Sequence, residues 1–367
     1  MPYKPHHMSD TQALLYSHTG IRKWMVALAI LVLISTACWC YSDQTVYDMS
    51  GSSVSVPDSI SRIATVEPVG YQLLILLDEE DKLTGACTGW ANRTLLKKIN
   101  PVFSDLPWPG DPTSVNLEEL LKEEPDIVIS KVGYAEKSQS MRDVGLHVFE
   151  IYPENPQDLI KSLSLLGILL HKEDKAEEFS TFFEETLSRI QELTQTIPQT
   201  NKKRVYIMGS SPLDTAGSDY YQHYMVEAAG GVNVASDLSG GWNSVSLEEI
   251  YSWNPDVIIM MPYTSANPEE LFHDPAWEKV TAVRNNQIYR LPKYIMAYDM
   301  PVPESILGIM WMAQIMYPDI ITFDIVQEMK TFYSKFYRLD IRDADIDTII
   351  TDQSKMKSSF DEIPGFN

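Results

Sequence analysis

Short β-branched runs alternate along this chain with stretches of helical period. Ile60 to Val66 predicts a first strand, Tyr71 to Leu77 a helix and Leu83 to Thr88 a second strand. Val148 to Tyr152 predicts another strand. From Pro156 to Pro198 the apolar positions Leu159, Leu163, Leu166, Phe179, Phe183, Leu187 and Ile190 fall at helical spacing. Lys172 to Ile197 contains neither Gly nor Pro, and as one helix at about 1.5 Å per residue it would reach about 40 Å. Lys203 to Met208 begins a second set of strands. It continues with a helix at Tyr221 to Ala229, a late strand at Ile288 to Leu291, and helices at Glu304 to Met316 and Thr322 to about Tyr337.

One unit occurs twice. Ser114 to Ile129 and Ser244 to Ile259 share eight of sixteen residues at an offset of 130. Each copy has a capping residue (Asn116 or Ser246) ahead of Leu-Glu-Glu, then Pro-Asp and an Ile/Val run. Acidic residues suit the positive end of a helix. Proline ends the helix, and the run that follows suits a strand buried on both faces. The duplication predicts an α/β fold of two Rossmann-like lobes joined by one long α-helix, behind an N-terminal signal or anchor segment. The expected divisions are a signal or anchor at 1–43, an N-terminal lobe at 44–171, a linking helix at 172–198, a C-terminal lobe at 199–340 and a tail at 341–367.

Charge and cysteine content sharpen the setting. Acidic residues outnumber basic ones 51 to 29, a formal net charge of −22, which repels nucleic acid. Arg22 and Lys23 precede an uncharged run from Trp24 to Ala37 that ends in small residues, the layout of an export signal. Ser35-Thr36-Ala37-Cys38 resembles a lipoprotein signal, although Ser35 stands where such signals usually carry Leu. Lipidation at Cys38 and an uncleaved helical anchor are both open, and either tethers the body outside the cytoplasmic membrane. Only Cys87 lies in the globular part, so no disulfide framework is expected there.

In open α/β lobes, ligands bind beyond the carboxyl ends of the strands. The loops at those ends carry Glu67, Tyr71, Trp90, Asn92, Trp108 and Tyr134 from the first lobe. The second lobe supplies Tyr220, Tyr221, Trp242, Asn243, Tyr263 and Tyr298. So many Trp and Tyr residues suit a large planar or chelated small molecule, with Trp90, Tyr134, Trp242 and Tyr263 the favoured contacts. Arg93 is the main arginine in these loops, which disfavours strongly anionic cargo. No two of His147, His171, His223 and His273 have metal-ligand spacing, so no metal site of the protein's own is expected. Phosphate-loop, nucleophile-elbow and zinc-protease motifs are missing from the sequence, and no enzymatic activity or resident cofactor is expected.

Several pieces resemble the cobalamin and iron-siderophore class of periplasmic binding proteins that serve ABC importers. They are Val46 to Gly51, Ser61-Arg-Ile63, Pro125-Asp126, Gly230-Gly-Val-Asn233, Trp253-Asn-Pro-Asp256, Trp277, Ala282 to Tyr289 and Tyr317-Pro318. The resemblance implies a monomeric receptor that captures an iron complex (siderophore or haem) or a corrinoid. Its partners would be a permease dimer with its ATPase, and Glu118 and Glu248 would dock onto permease arginines. His223 becomes a candidate axial ligand if the cargo is haem. Alternatives are the same fold holding free metal or an oxyanion such as molybdate, and a tethered sensor or hydrolase with no transport role.

Overall fold

The computed structural model describes residues 43–89 and 91–351. The apolar run at 24–37, Cys38, Trp90 and the last sixteen residues of the expected tail lie outside the described residues. The compact unit that begins at Thr45 holds both lobes.

Strands β1 (Asp43–Tyr47) and β2 (Ser53–Pro57) pair with each other. The first lobe then runs through β3 (Ile63–Thr65), α1 (Gly70–Leu76), β4 (Leu83–Ala86), α2 (Arg93–Ile99), α3 (Leu117–Glu123), β5 (Ile127–Lys131), α4 (Ala135–Asp143) and β6 (Val148–Ile151). Helices α5 (Pro156–Leu170) and α6 (Glu173–Thr194) follow. The second lobe holds β7 (Arg204–Met208), β8 (Asp214–Ala216), α7 (Tyr221–Ala228), β9 (Val232–Asn233), β10 (Trp242–Ser244), α8 (Leu247–Trp253), β11 (Val257–Met260), α9 (Pro268–His273), α10 (Thr281–Arg284) and β12 (Ile288–Arg290). Three helices close the described chain: α11 (Ser305–Met316), α12 (Ile325–Tyr337) and α13 (Asp343–Thr351).

The two main sheets share one topology. Their orders are β4-β3-β5-β6 and β9-β7-β11-β12, with every neighbouring pair parallel. Numbered within its own lobe, each sheet runs second, first, third, fourth. The echoed segments therefore supply the same strand of two separate sheets. Local chemistry repeats as well. The Asn116 side chain accepts from Glu119 N at 3.1 Å, and Ser246 and Glu249 form a reciprocal capping box. Both helices stop in a left-handed residue, Glu124 or Asn254, each with φ 43°, directly before the proline. Next, Asp126 and Asp256 accept hydrogen bonds from the backbone at Arg62 and Arg204. Those arginines donate back to the carbonyls that end α3 and α8.

Strand alternation organises the interior. Ile127 and Ile129 face one core while Val128 faces another. Val205, Ile207, Val257 and Ile259 join that first core, and Tyr206, Met208, Ile258 and Met260 face a third. The shared core is continuous between the lobes and is filled by α1, α5, α6, α7, α11 and α12. Helix α5 ends at His171, which is left-handed at φ 57°, and α6 then runs for 22 residues, about 33 Å at the usual rise. It packs on α5 and α1 on one side and on α7 and α11 on the other. Among the described residues no helix is long and apolar enough to cross a membrane.

Candidate functional site

The rim of the first lobe is built at the ends of β3, β4 and β5. Glu67, just past β3, is 3% exposed. One of its oxygens accepts weakly from Val69 N at 3.4 Å and the other has no partner. Burial raises its pKa from 4.5 to about 7, although the ammonium of Lys131 pulls the other way. Lys131 is the last residue of β5 and forms an ion pair with Glu154. Burial disfavours its charge, but Glu67 and Glu154 lift it above its ordinary value overall. Tyr134, half-buried, stands just ahead of α4. Trp108 is 48% exposed on a loop whose Pro107 carbonyl accepts from Ala86 N, and its indole lies beside the Cys87 thiol. Burial pushes that thiol up to about 11, so it stays protonated.

The rim of the second lobe is aromatic. An antiparallel pair, β8 with β10, sets Trp242 opposite Ala216 and Asn243 opposite Thr215. The Trp242 ring lies 5.4 Å from that of Tyr220 and 6.4 Å, edge to face, from that of Tyr263. Gly209, the first residue after β7, permits this. A Cβ there would sit 2.7 Å from the Trp242 ring and 2.6 Å from Asp214. Asn243 folds its amide back onto the Gly241 carbonyl. Behind Tyr263 lies Asp299, 1% exposed, beside the tyrosine hydroxyl and bonded through Oδ2 to Gln222 Nε2 at 3.3 Å. Burial raises Asp299 to about 6 and pushes the Tyr263 phenol far above its ordinary value. Arg290, at the end of β12, donates to the carbonyls of Thr264 and Ala266. Burial lowers Arg290 and Lys293, and for Lys293 the neighbouring Arg290 adds to the effect.

Several expected contacts are placed elsewhere. Tyr71 is fully buried against Phe103 in the shared core, because the strand-to-helix turn directs its ring inward. Tyr298 is also core, its hydroxyl 2.9 Å from that of Tyr333. Tyr221 bonds Ser305 inside and is 8% exposed. Asn92 caps α2 with its side chain, and its backbone N–H donates to Ile295 O at 2.8 Å, joining the two rims. Tyr71, Tyr221 and Tyr298 thus face the core, whereas Asn92 is exposed at the rim. His223 faces Asn233 at 3.4 Å. Lys131, Arg290 and Lys293 had been overlooked, although the strand-end rule that selected the aromatics places the first two at the last positions of β5 and β12. Among the described residues no group of three His, Cys, Asp or Glu side chains is placed to hold a metal ion.

Two lobes of equal topology, with polar and aromatic rims at their strand ends, are matched over residues 63–295 by the sequence profile of a periplasmic binding protein. The chain belongs to the periplasmic binding protein family. It is an extracytoplasmic substrate-binding protein of the ABC-importer type. Among its relatives, the molybdate-binding protein MolA of Haemophilus influenzae is 25% identical over 338 residues, covering 85% of this chain and 96% of that protein. The high-affinity heme uptake protein IsdE of Staphylococcus aureus is 24% identical, covering 74% and 89%. A solved periplasmic solute binding protein of Veillonella parvula superposes with a TM-score of 0.75 at 26% identity, covering 84% and 96%.

In this periplasmic binding protein the two expected docking glutamates occupy equivalent places. Glu118 and Glu248 are each the second residue of an echoed helix, and both are exposed. Among the described residues neither carboxylate is in an ion pair.

Proposed function

We propose that this receptor captures an iron complex or corrinoid with a broad apolar face, holds it at the strand-end rims, and hands it to an ABC permease. The observation that carries this reading is the Tyr220–Trp242–Tyr263 group, in which the Trp242 ring touches both tyrosines at one rim and all three are only half-buried. A ring wall of this kind gains most by covering an apolar ligand face, with phenol oxygens left for polar atoms. Trp108 and Tyr134 supply the aromatic surface of the other rim, and Trp90 remains a candidate there.

The same reading makes binding, not turnover, the whole chemistry, with Glu118 and Glu248 engaging basic residues on a two-fold permease. It also has the body act as a monomer, tethered through a lipid on Cys38 or through the apolar run itself. Titrating the purified body with a ferric siderophore, haemin and cyanocobalamin while following tryptophan fluorescence tests the cargo class. Saturable quenching by one of them at micromolar concentration or below is expected, and no response to any contradicts it.

A second reading, an oxyanion, is favoured by Lys293 beside Arg290, two partly buried cations whose charged forms an anion would stabilise. The relative MolA, named for molybdate, points the same way. Molybdate in the same titration separates the two.

A further inference from the structure

Arg290 is the last residue of β12 and lies level with Met260, where β11 ends. Its side chain reaches over that end to the loop that follows β11. There Nη1 donates to the carbonyl of Thr264 at 3.3 Å and Nη2 to that of Ala266 at 2.6 Å. Tyr263 comes directly before Thr264. The same loop is held from its other side, where Ser265 donates its N–H (2.9 Å) and its hydroxyl (3.0 Å) to the carbonyl of Ser210, just past β7. Asp214 Oδ2, at the start of β8, accepts in turn from Ser210 N and Oγ at 3.1 and 2.9 Å, and β8 pairs with the strand that carries Trp242. A continuous line of bonds thus runs from Arg290 through the Tyr263 loop to Trp242.

Burial opposes the charge of a guanidinium at this place. Its planar fork, aimed at two carbonyls two residues apart, offsets that cost and fixes the turn between them. An ammonium is a single point charge and does not hold both carbonyls in the same geometry. The carbonyls solvate the charge without cancelling it, so Arg290 still bears on Lys293 beside it.

We infer that Arg290 is a positioning residue of the cargo site: it fixes the turn that carries Tyr263 and so holds that ring edge-on against Trp242 before cargo arrives. This rests on the reading of the Tyr220–Trp242–Tyr263 group as the cargo wall and deepens it, since a wall ordered beforehand loses less freedom on binding.

The test compares wild type with Arg290→Lys, first without cargo and then with a ferric trihydroxamate. Near-UV circular dichroism isolates Trp242 among the eight tryptophans when each protein is also measured in its Trp242→Phe form. Wild type should show a strong Trp242 band from coupling to the two tyrosine rings. Arg290→Lys should lose about half of that band or more at unchanged far-UV signal, and bind the chelate about tenfold more weakly, the scale of one charge-assisted bond. A residue that touched cargo by its charge alone would leave the band intact, so an unchanged band in Arg290→Lys overturns the inference alone. Loss of the band with unchanged chelate affinity overturns it as well. Failure of wild type to bind the chelate overturns the chelate reading, and this inference with it; the band, read without cargo, tells the two failures apart. Should Arg290→Lys fail to fold, Ser265→Ala loosens the same turn from the β7 side at an exposed position. The Trp242 band should then weaken and the chelate bind about threefold more weakly, the scale of one neutral hydrogen bond. An unchanged band in that variant counts against the inference.

Discussion

Gln72 on α1 of the first lobe donates to the carboxylate of Glu304, ahead of α11 in the second, at 3.2 Å, with both side chains fully buried. Around this bond stand the phenols of Tyr71, Tyr298, Tyr333 and Tyr337, each at most 1% exposed. Burial raises Glu304 from 4.5 to about 7, with the Tyr337 phenol and Gln72 opposing. The folded pKa exceeds the unfolded one, so the native state holds this proton more tightly. Its contribution to stability is full below about 4.5 and is lost as pH rises to about 7, a swing on the order of 3 kcal/mol. Glu304→Gln should therefore raise the thermal midpoint at pH 8 by several degrees and change it little at pH 5. An equal change at both values argues against a protonated Glu304.

Tyr71 offers the opposite case in the same cluster. Its hydroxyl is buried without a partner, so Tyr71→Phe should be neutral or stabilise by about 1 kcal/mol in urea unfolding. Cargo affinity should not change, because the ring belongs to the core. A loss of affinity would restore Tyr71 to the contact set.

The paired aspartates differ in a measurable way. Asp126 Oδ2 accepts from Ser61 N, Ser61 Oγ and Arg62 N at 2.7, 3.0 and 2.9 Å, whereas Asp256 Oδ2 accepts from Arg204 N at 3.0 Å. Asp126→Ala should cost about 2–3 kcal/mol and Asp256→Ala about 1 kcal/mol. Equal costs would mean that the hydrogen bonds at Ser61 add nothing.

Much of this was legible in the sequence because the duplicated unit bundles every level of signal. Cap, Leu-Glu-Glu, proline stop and buried run marked two helix–strand units, whereas the order of the strands within each sheet is visible only in the structure. The candidate site was less legible. Tyr71, Tyr221 and Tyr298 have the same composition signal as Tyr220 and Tyr263, and what separates them is the direction of the side chain from the strand end. A tyrosine one or two residues further along a turn points into the core. The β8–β10 pair also escaped notice, because three-residue strands around Gly and Ser residues carry almost no periodicity.

The docking role makes a separable prediction. Reversing both charges, Glu118→Arg with Glu248→Arg, should abolish uptake while cargo affinity stays within about twofold, since both residues are exposed at the starts of α3 and α8. Uptake at the wild-type rate would remove these glutamates from the permease interface.

The most direct test is cargo binding by Trp242→Ala compared with wild type, read by calorimetry with a ferric trihydroxamate. Wild type should bind one equivalent. The variant, which loses the ring that touches both Tyr220 and Tyr263, should bind at least about thirtyfold more weakly at nearly unchanged thermal midpoint. Equal affinity in the two proteins, or tight binding of molybdate by wild type in place of the chelate, would contradict an aromatic cargo wall at the rim of the second lobe.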